Sequence, residues 1–167
     1  MKVVITDANI FMHLMDADLL ESFFQLDFEI STTLEVFGEM GDENEKLGRY
    51  VDHQLELIIS DEGQLENIKS MELPPGLSFP DRTVIFHALH QQCTVLTGEK
   101  LMTRECRSQG LTVHGLLWVL DQLQAANICS PAILHEKLSF LMTLGDFRVP
   151  KDECRARLNR WTADRES

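Results

Sequence analysis

Four acidic side chains recur just after predicted strands or in the first turns of the helices that are predicted next. They are Asp7, Glu39, Asp81 and Glu99. Carboxylates that lie side by side repel one another, and without partners their pKa values rise. Divalent cations remove that cost, and Mg²⁺ and Mn²⁺ prefer oxygen ligands while keeping several waters. Two such ions about 3.5–4 Å apart can activate a water and stabilise the leaving oxygen of a phosphodiester. The four acids therefore predict a metal site suited to phosphodiester hydrolysis.

Asp7 stands at the end of the first predicted strand. Residues 3–6 form an apolar, β-branched run that predicts a buried strand ending just before this carboxylate. Open α/β sheets bind ligands in the crevice outside the carboxyl ends of their strands, which makes Asp7 a candidate site residue. Asp also commonly turns a strand into the following helix, and for this residue alone that interpretation stays open.

Two more acids take similar positions in the second half of the chain. Glu99 comes just after residues 94–98, a predicted strand that runs into a turn. Asp81 opens a predicted helix after Ser78-Phe79-Pro80, where the helix dipole favours a carboxylate in any case. Both acids are candidate ligands, although Asp81 also has a structural explanation.

The remaining ligand is a choice between Glu35 and Glu39, which lie one turn apart on the helix predicted after the second strand. Thr32 and Glu35 have the spacing of a capping box, and this gives Glu35 a structural role. Glu39 has no such local role. We therefore predict Glu39 as the functional carboxylate and keep Glu35 as the reserve.

The elements that would position these acids alternate along the first two thirds of the chain. Strands are predicted at residues 2–6, 28–31, 57–60, 94–96 and 111–114, and helices at residues 14–26, 34–55, 81–90 and 99–109. This alternation predicts an α/β fold with a parallel sheet and crossovers on both faces. After His114 the pattern is wholly helical, over residues 116–125, 131–144 and 150–161.

The length and composition fit a single domain. With 167 residues, of which 44% are hydrophobic and 25% charged, we expect one domain over residues 1–167. Within it, about 1–115 would form the α/β core and 116–167 a helical C-terminal part. No apolar stretch approaches the roughly 20 residues of a membrane span, and the chain opens on a strand instead of a signal peptide. We therefore expect a cytoplasmic protein without a membrane partner.

The charge is distributed unevenly along the chain. The net charge of −12 argues against a general nucleic-acid coat protein. Residues 1–80 carry 17 acids against four Lys and Arg, whereas residues 81–167 carry 10 acids against 11. Six of the fifteen basic residues fall in the last 20 positions: Arg148, Lys151, Arg155, Arg157, Arg160 and Arg165. A polyanion is therefore expected to approach from the C-terminal side.

Four segments, in order and at compatible spacings, resemble the motifs of PIN-domain nucleases. They are VITDANIF from residue 4, TTLEVFGEM from residue 32, LSFPD from residue 77, and LTGEK from residue 96 with LTVHG from residue 111. The tail, with GLLWVLD from residue 115 and RVP from residue 148, resembles a bacterial, toxin-like branch of these proteins. The resemblance covers nearly the whole chain.

This resemblance implies a three-layer α/β/α sandwich and a ribonuclease that depends on Mg²⁺ or Mn²⁺. It places the metal ions on the four acids and implies that Asn9 and Thr97 orient the ions or the attacking water. Many relatives are toxins held in check by a small antitoxin, and many form dimers. RNA, an antitoxin protein and a second copy of the chain are therefore the expected partners.

One departure from the family pattern opens an alternative. The fourth acid is usually Asp, and the extra methylene of Glu99 moves its carboxylate by roughly 1.5 Å. Acids such as Asp42, Glu43 and Glu45 could also repel RNA near the pocket mouth. The alternative is a catalytically silent PIN-like domain that acts as a protein-binding or regulatory module. The four acids fit DNA cleavage as well as RNA cleavage.

Overall fold

The computed structural model describes the backbone of residues 2–166 and the side chains of residues 5–164. Its centre is a five-stranded sheet in which every pairing is parallel. The strands are β1 (Lys2–Thr6), β2 (Phe28–Thr33), β3 (Leu55–Ile58), β4 (Thr94–Leu96) and β5 (Val113–His114). The predicted parallel sheet is therefore confirmed, with β2 two residues longer than expected and β3 two residues earlier.

The order of the strands places a reversal next to β1. The order is β3-β2-β1-β4-β5, so the chain first builds outward on one side of β1 and then on the other. In the register, Ile5 pairs with Ser31 of β2 and with Val95 of β4. The carboxyl ends of β1 and β4 thus meet where the winding changes direction, which is where open α/β sheets form their ligand crevice.

Helices cover both faces of the sheet. Their bounds are α1 (Ala8–Asp16), α2 (Leu20–Phe23), α3 (Leu34–Glu39), α4 (Asn44–Gly48), α5 (Glu62–Ser70), α6 (Phe79–Gln91), α7 (Lys100–Ser108), α8 (Leu116–Ala125), α9 (Pro131–Leu141) and α10 (Lys151–Glu166). One buried apolar cluster joins α1 and α2 with α8, α9 and α10, and a second cluster contains α6, α7 and Ile5. The two clusters are the two outer interfaces of a three-layer α/β/α sandwich, as the sequence predicts.

The prediction of one helix over residues 34–55 is wrong. The structure has α3, a 3₁₀ turn at Gly41–Glu43 and α4 in this stretch, and β3 begins at Leu55. Gly41 adopts a left-handed conformation with φ of +60°, which is incompatible with a continuous helix. The apolar residues have nearly helical spacing, but this backbone turn divides them.

The helix predicted over residues 14–26 also differs in its bounds. Helix α1 already begins at Ala8 and ends at Asp16, and α2 follows as a separate short helix. Asp18, between the two helices, is left-handed with φ of +55°. The Asp7 side chain caps α1, so the local signal that starts this helix is the same carboxylate that ends the strand.

Among the residues that the structure describes, no helix combines the length and the apolar character that crossing a membrane requires.

Candidate active site and the adjoining basic cavity

Asp7 lies in the turn between β1 and α1 and is only 3% exposed. Its Oδ1 accepts a hydrogen bond from the Ile10 amide at 3.2 Å, and its Oδ2 accepts one from the Thr97 hydroxyl. Burial raises the pKa of Asp7 from 3.8 to about 7, and the neighbouring acids Glu99 and Asp81 raise it further against these two hydrogen bonds. A helix cap alone does not require this environment, because exposed Asp residues cap helices equally well.

Asp81 is buried at the first turn of α6. It forms a reciprocal capping box with Ser78: the Ser78 amide donates to Asp81 Oδ2 at 3.0 Å, and the Asp81 amide donates to Ser78 Oγ at 3.2 Å. The structural explanation foreseen for Asp81 is therefore present. The cap also fixes the carboxylate where it acts electrostatically on Asp7, so the structural and functional roles do not compete.

Glu39 and Glu99 supply the two exposed carboxylates of the group. Glu39 is the last residue of α3, and Glu99 precedes α7 as its N-cap residue without a side-chain capping bond. Partial burial raises the pKa of both, and Asp81 raises each further. Glu99 also raises the pKa of Glu39. Four separate elements thus bring one acid each to the same end of the sheet.

The four acids are neighbours, but they are not tightly clustered. In the part of the chain with described side chains, no three of them have ligand atoms all within 4.8 Å of one another. None of them forms an ion pair with Lys, Arg or His among these residues. The group is therefore an uncompensated, open set of carboxylates. This spacing is compatible with Mg²⁺ or Mn²⁺, because these ions retain water ligands and do not need a closed protein cage.

The two supporting residues lie on either side of the junction between β1 and β4. Thr97 is 2% exposed, donates to Asp7 Oδ2 and accepts a hydrogen bond from the Glu99 amide at 3.2 Å. Asn9 lies in the first turn of α1, and its side chain is close to Gly98. A side chain at position 98 would place its Cβ 3.6 Å from Asn9 Oδ1. Thr97 therefore links the positions of Asp7 and Glu99, whereas Asn9 lies against the turn that carries Glu99.

The capping box predicted for Thr32 and Glu35 is wrong by one residue. The cap of α3 is Thr33, whose hydroxyl accepts from the Val36 amide at 3.2 Å, while the Thr32 hydroxyl donates to the Thr6 carbonyl at 2.7 Å. Thr32 faces the neighbouring strand because β2 continues to Thr33. Glu35 is half-buried, and burial rather than another acid raises its pKa. The structure thus places Glu39, not Glu35, under the influence of the other acids.

A cavity of about 740 Å³ adjoins the acids. Asn9, Thr97 and Gly98 form the wall next to Asp7 and Glu99. The opposite walls come from α7, the start of α8, the segment at residues 148–150 and α10. Since Thr97 also hydrogen bonds to Asp7, the acidic group and the cavity share a wall.

Cations line this cavity. Lys100, Arg104 and Arg107 project from α7 at spacings of four and three residues, and Arg148 and Arg157 come from the C-terminal part. Arg157 is bound to Asp121 at 2.9 Å. Among the side chains that the structure describes, the other four cations have no acidic partner within ion-pair distance. The cavity therefore presents uncompensated positive charge beside an uncompensated acidic group.

The prediction that polyanions approach from the C-terminal side identified only part of this surface. Arg148 and Arg157 reach the cavity, but Arg160 binds Asp121 at 2.6 Å and Arg155 lies 3.9 Å from Asp152. The Arg165 side chain lies outside the described residues. Sequence reasoning missed the three cations of α7. Their spacing of i, i+4 and i+7, directly after Glu99, was the available signal.

An aromatic stack completes the cavity wall. The rings of His114 and Trp118 stack with centroids 4.2 Å apart, and Trp118 stacks in turn on Phe28 at 5.6 Å. Trp118 is half-buried against Phe28, and the same ring also lines the cavity. The stacked rings give the cavity an aromatic surface beside its cations.

Comparison with known proteins supports a family assignment. No curated protein matches the chain. Among solved structures, that of the PIN domain endonuclease Utp24 is similar, with 16% sequence identity, a TM-score of 0.49, and coverage of 68% of this chain and 84% of that one. The family model DUF3368, described as a PIN domain, matches residues 3–163. PIN domains are generally nucleases that use divalent metals. Because the family model spans nearly the whole chain, the protein belongs to the PIN-domain family.

Proposed function

We propose that this protein is a divalent-metal-dependent endoribonuclease, with Asp7, Glu39, Asp81 and Glu99 as the ligands of Mg²⁺ or Mn²⁺. The observation that carries the proposal is the state of Asp7. It is a buried carboxylate with a pKa raised to about 7, Glu99 and Asp81 act on it electrostatically, and no cation pairs with it among the described side chains. A divalent cation is the partner that such a donor set lacks.

The ions, when bound, would supply an activated water and neutralise charge at the leaving oxygen. The chain's own residues have separate tasks. Thr97 orients Asp7 through its hydroxyl, and its contact with the Glu99 amide fixes the turn that carries Glu99. Asp81 is held in place by its capping box with Ser78. These contacts pre-organise the acids before a substrate arrives.

The cavity gives the proposal its substrate class. Lys100, Arg104, Arg107 and Arg148 can bind the phosphates that flank the scissile bond, because they line a cavity that shares Thr97 with the acidic group. The local cations offset the overall charge of −12, so the acidity of the first half does not prevent a nucleic acid from binding here. RNA rather than DNA is the substrate implied by the family resemblance.

Cleavage of a labelled single-stranded RNA with Mn²⁺ or Mg²⁺, beside DNA of the same sequence, tests this proposal. We expect cleavage of the RNA that EDTA abolishes and that Asp7→Asn removes. Asp61→Asn is the matched control, since Asp61 also caps a helix, α5, by accepting an amide hydrogen bond but lies on an exposed turn. Cleavage of the DNA but not of the RNA would support metal-dependent hydrolysis and would contradict RNA as the substrate.

The open spacing of the acids favours one second candidate, a PIN domain without catalysis that binds a protein partner. Glu39 and Glu99 are both exposed, and no three of the four acids are within bridging distance in the described side chains. Binding of Mn²⁺ without cleavage of RNA or DNA would support this candidate. An antitoxin, a homodimer and a cytoplasmic location stay predictions, and size-exclusion chromatography with light scattering tests the second of them directly.

A further inference from the structure

We propose that His13, Asp16 and Asp146 form a second metal site, separate from the four acids, that takes a transition-metal ion such as Zn²⁺. One ligand atom from each of the three residues lies within 4.8 Å of the others. His13 and Asp16 are on α1, whereas Asp146 lies in the segment between α9 and α10. An ion here would tie the first helix to the C-terminal helices. The proposal does not depend on the proposed nuclease activity.

The buried imidazole provides the observation beyond the cluster itself. His13 is 5% exposed, and its Nδ1 has no hydrogen-bond partner among the described residues. The same atom lies 3.9 Å from Asp16 Oδ2, and a carboxylate oxygen of Asp146 completes the group within 4.8 Å. A buried polar nitrogen without a partner is unfavourable, and native proteins rarely leave one without a bound group. A metal ion between Nδ1 and the two carboxylates would satisfy it.

A simple ion pair accounts for this arrangement less well. A distance of 3.9 Å is too long for a hydrogen bond between Nδ1 and the Asp16 carboxylate. The arrangement therefore leaves Nδ1 without the hydrogen bond that a close ion pair would provide. A ring nitrogen that forms no hydrogen bond can instead ligate a metal ion.

The donor set selects the class of ion. One imidazole nitrogen and two carboxylate oxygens suit Zn²⁺, Co²⁺ or Ni²⁺, whereas Mg²⁺ and Ca²⁺ prefer oxygen ligands alone. Asp16 and Asp146 are exposed, which gives an ion a path to the buried nitrogen. Three protein ligands leave at least one position for water.

The site adjoins the basic cavity. Asn9 and His13 are one turn apart on α1, and both line that cavity. The ring of Phe147, next to Asp146, packs edge-on against His13 with centroids 5.1 Å apart. Arg148, Val149 and Pro150 follow directly and form part of the cavity wall. A bound ion would therefore fix the segment that presents Arg148 to the cavity.

Calorimetric titration of the full chain with Zn²⁺ in an Asp7→Asn background tests this site while weakening the four-acid site. We expect binding of about one equivalent that excess Mg²⁺ does not displace. His13→Gln and, separately, Asp146→Asn should each weaken that binding by at least tenfold. His135→Gln, on the partly exposed face of α9, is the matched control and should leave the binding unchanged.

Nitrogen-15 NMR of the histidine side chains identifies the ligand atom. The expected result is a large shift of His13 Nδ1 on addition of Zn²⁺. Asp146 is exposed, so the Asp146→Asn variant should fold normally. This variant therefore tests the site even if His13→Gln is unstable. Absence of Zn²⁺ binding, or binding that both variants leave intact with an unshifted His13 resonance, would overturn the proposal.

Discussion

The acidic group and the basic cavity share a wall but differ in how the fold holds them. The acids come from four separate elements, and Asp7 and Asp81 are buried and fixed by backbone hydrogen bonds. Four of the five cations of the cavity are exposed, three of these four lie on α7, and none of the four has an acidic partner among the described side chains. Catalytic groups must be held rigidly in place, whereas groups that bind the phosphates of a flexible polyanion need only present positive charge along its path. The two regions should therefore respond differently to substitution.

The largest effect is expected at Asp7. Asp7→Asn keeps a good helix cap but removes the buried charge, so the fold should survive while the metal site fails. Loss of metal-derived stabilisation worth several kcal/mol predicts a fall in kcat of at least about 10³-fold. Single-turnover cleavage with saturating Mn²⁺ measures it. A variant that retains more than a tenth of the wild-type rate would show that Asp7 only caps α1.

The pH dependence of stability gives the next largest effect. The folded-state pKa of Asp7, about 7, is higher than the ordinary value of 3.8, so the folded protein holds this proton more tightly than the unfolded chain. Stability from this group is therefore complete below about pH 4 and is lost as the pH rises toward and through 7. The difference corresponds to a loss on the order of 4 kcal/mol between these limits.

Urea unfolding in EDTA from pH 4 to pH 8 measures this loss. Asp7→Asn should remove this contribution, so the variant is expected to be more stable than the wild type at pH 8. Millimolar Mn²⁺ should offset the loss in the wild type but not in the variant, because only the intact site binds the ion. Equal pH profiles for the two proteins would contradict a raised pKa at Asp7.

A smaller effect should separate the two candidate glutamates. Glu39 is influenced by Asp81 and Glu99, whereas Glu35 is not. We expect Glu39→Gln to lower kcat by about 10- to 100-fold, because one of several ligands is lost, and Glu35→Gln to change it less than about twofold. Glu35→Gln is the matched control, one turn away on the same helix. The reverse order would assign the ligand to Glu35.

The sequence predicted the three layers and indicated the candidate acids, but it did not predict the cavity. Strand ends carry strong local signals: an apolar run followed by Asp7 or Glu99 can be recognised from spacing alone. The cap of α3 was misplaced at Thr32 because the length of β2 depends on pairing with β3, a contact between distant parts of the chain. The cavity arises only when α7 and residues 148–157 come together. Their 40-residue separation leaves no periodic pattern.

The smallest expected effect tests the cavity itself. Arg104→Ala with Arg107→Ala removes two exposed cations that line the cavity and have no acidic partner among the described side chains. If they bind phosphates, KM for RNA should rise by about tenfold while kcat changes little. The dependence of binding on salt should also weaken by about one to two phosphate contacts.

Fluorescence anisotropy of a labelled RNA over a range of salt concentrations separates this effect from damage to the acidic group. Arg155→Ala is the control, since Arg155 is exposed, lies near Asp152 and does not line the cavity. A fall in kcat at constant KM would mean that the cations of α7 act on the reacting group rather than on its flanking phosphates. Since Glu99 precedes α7, such a result would show that the acidic group and the cavity act as one unit.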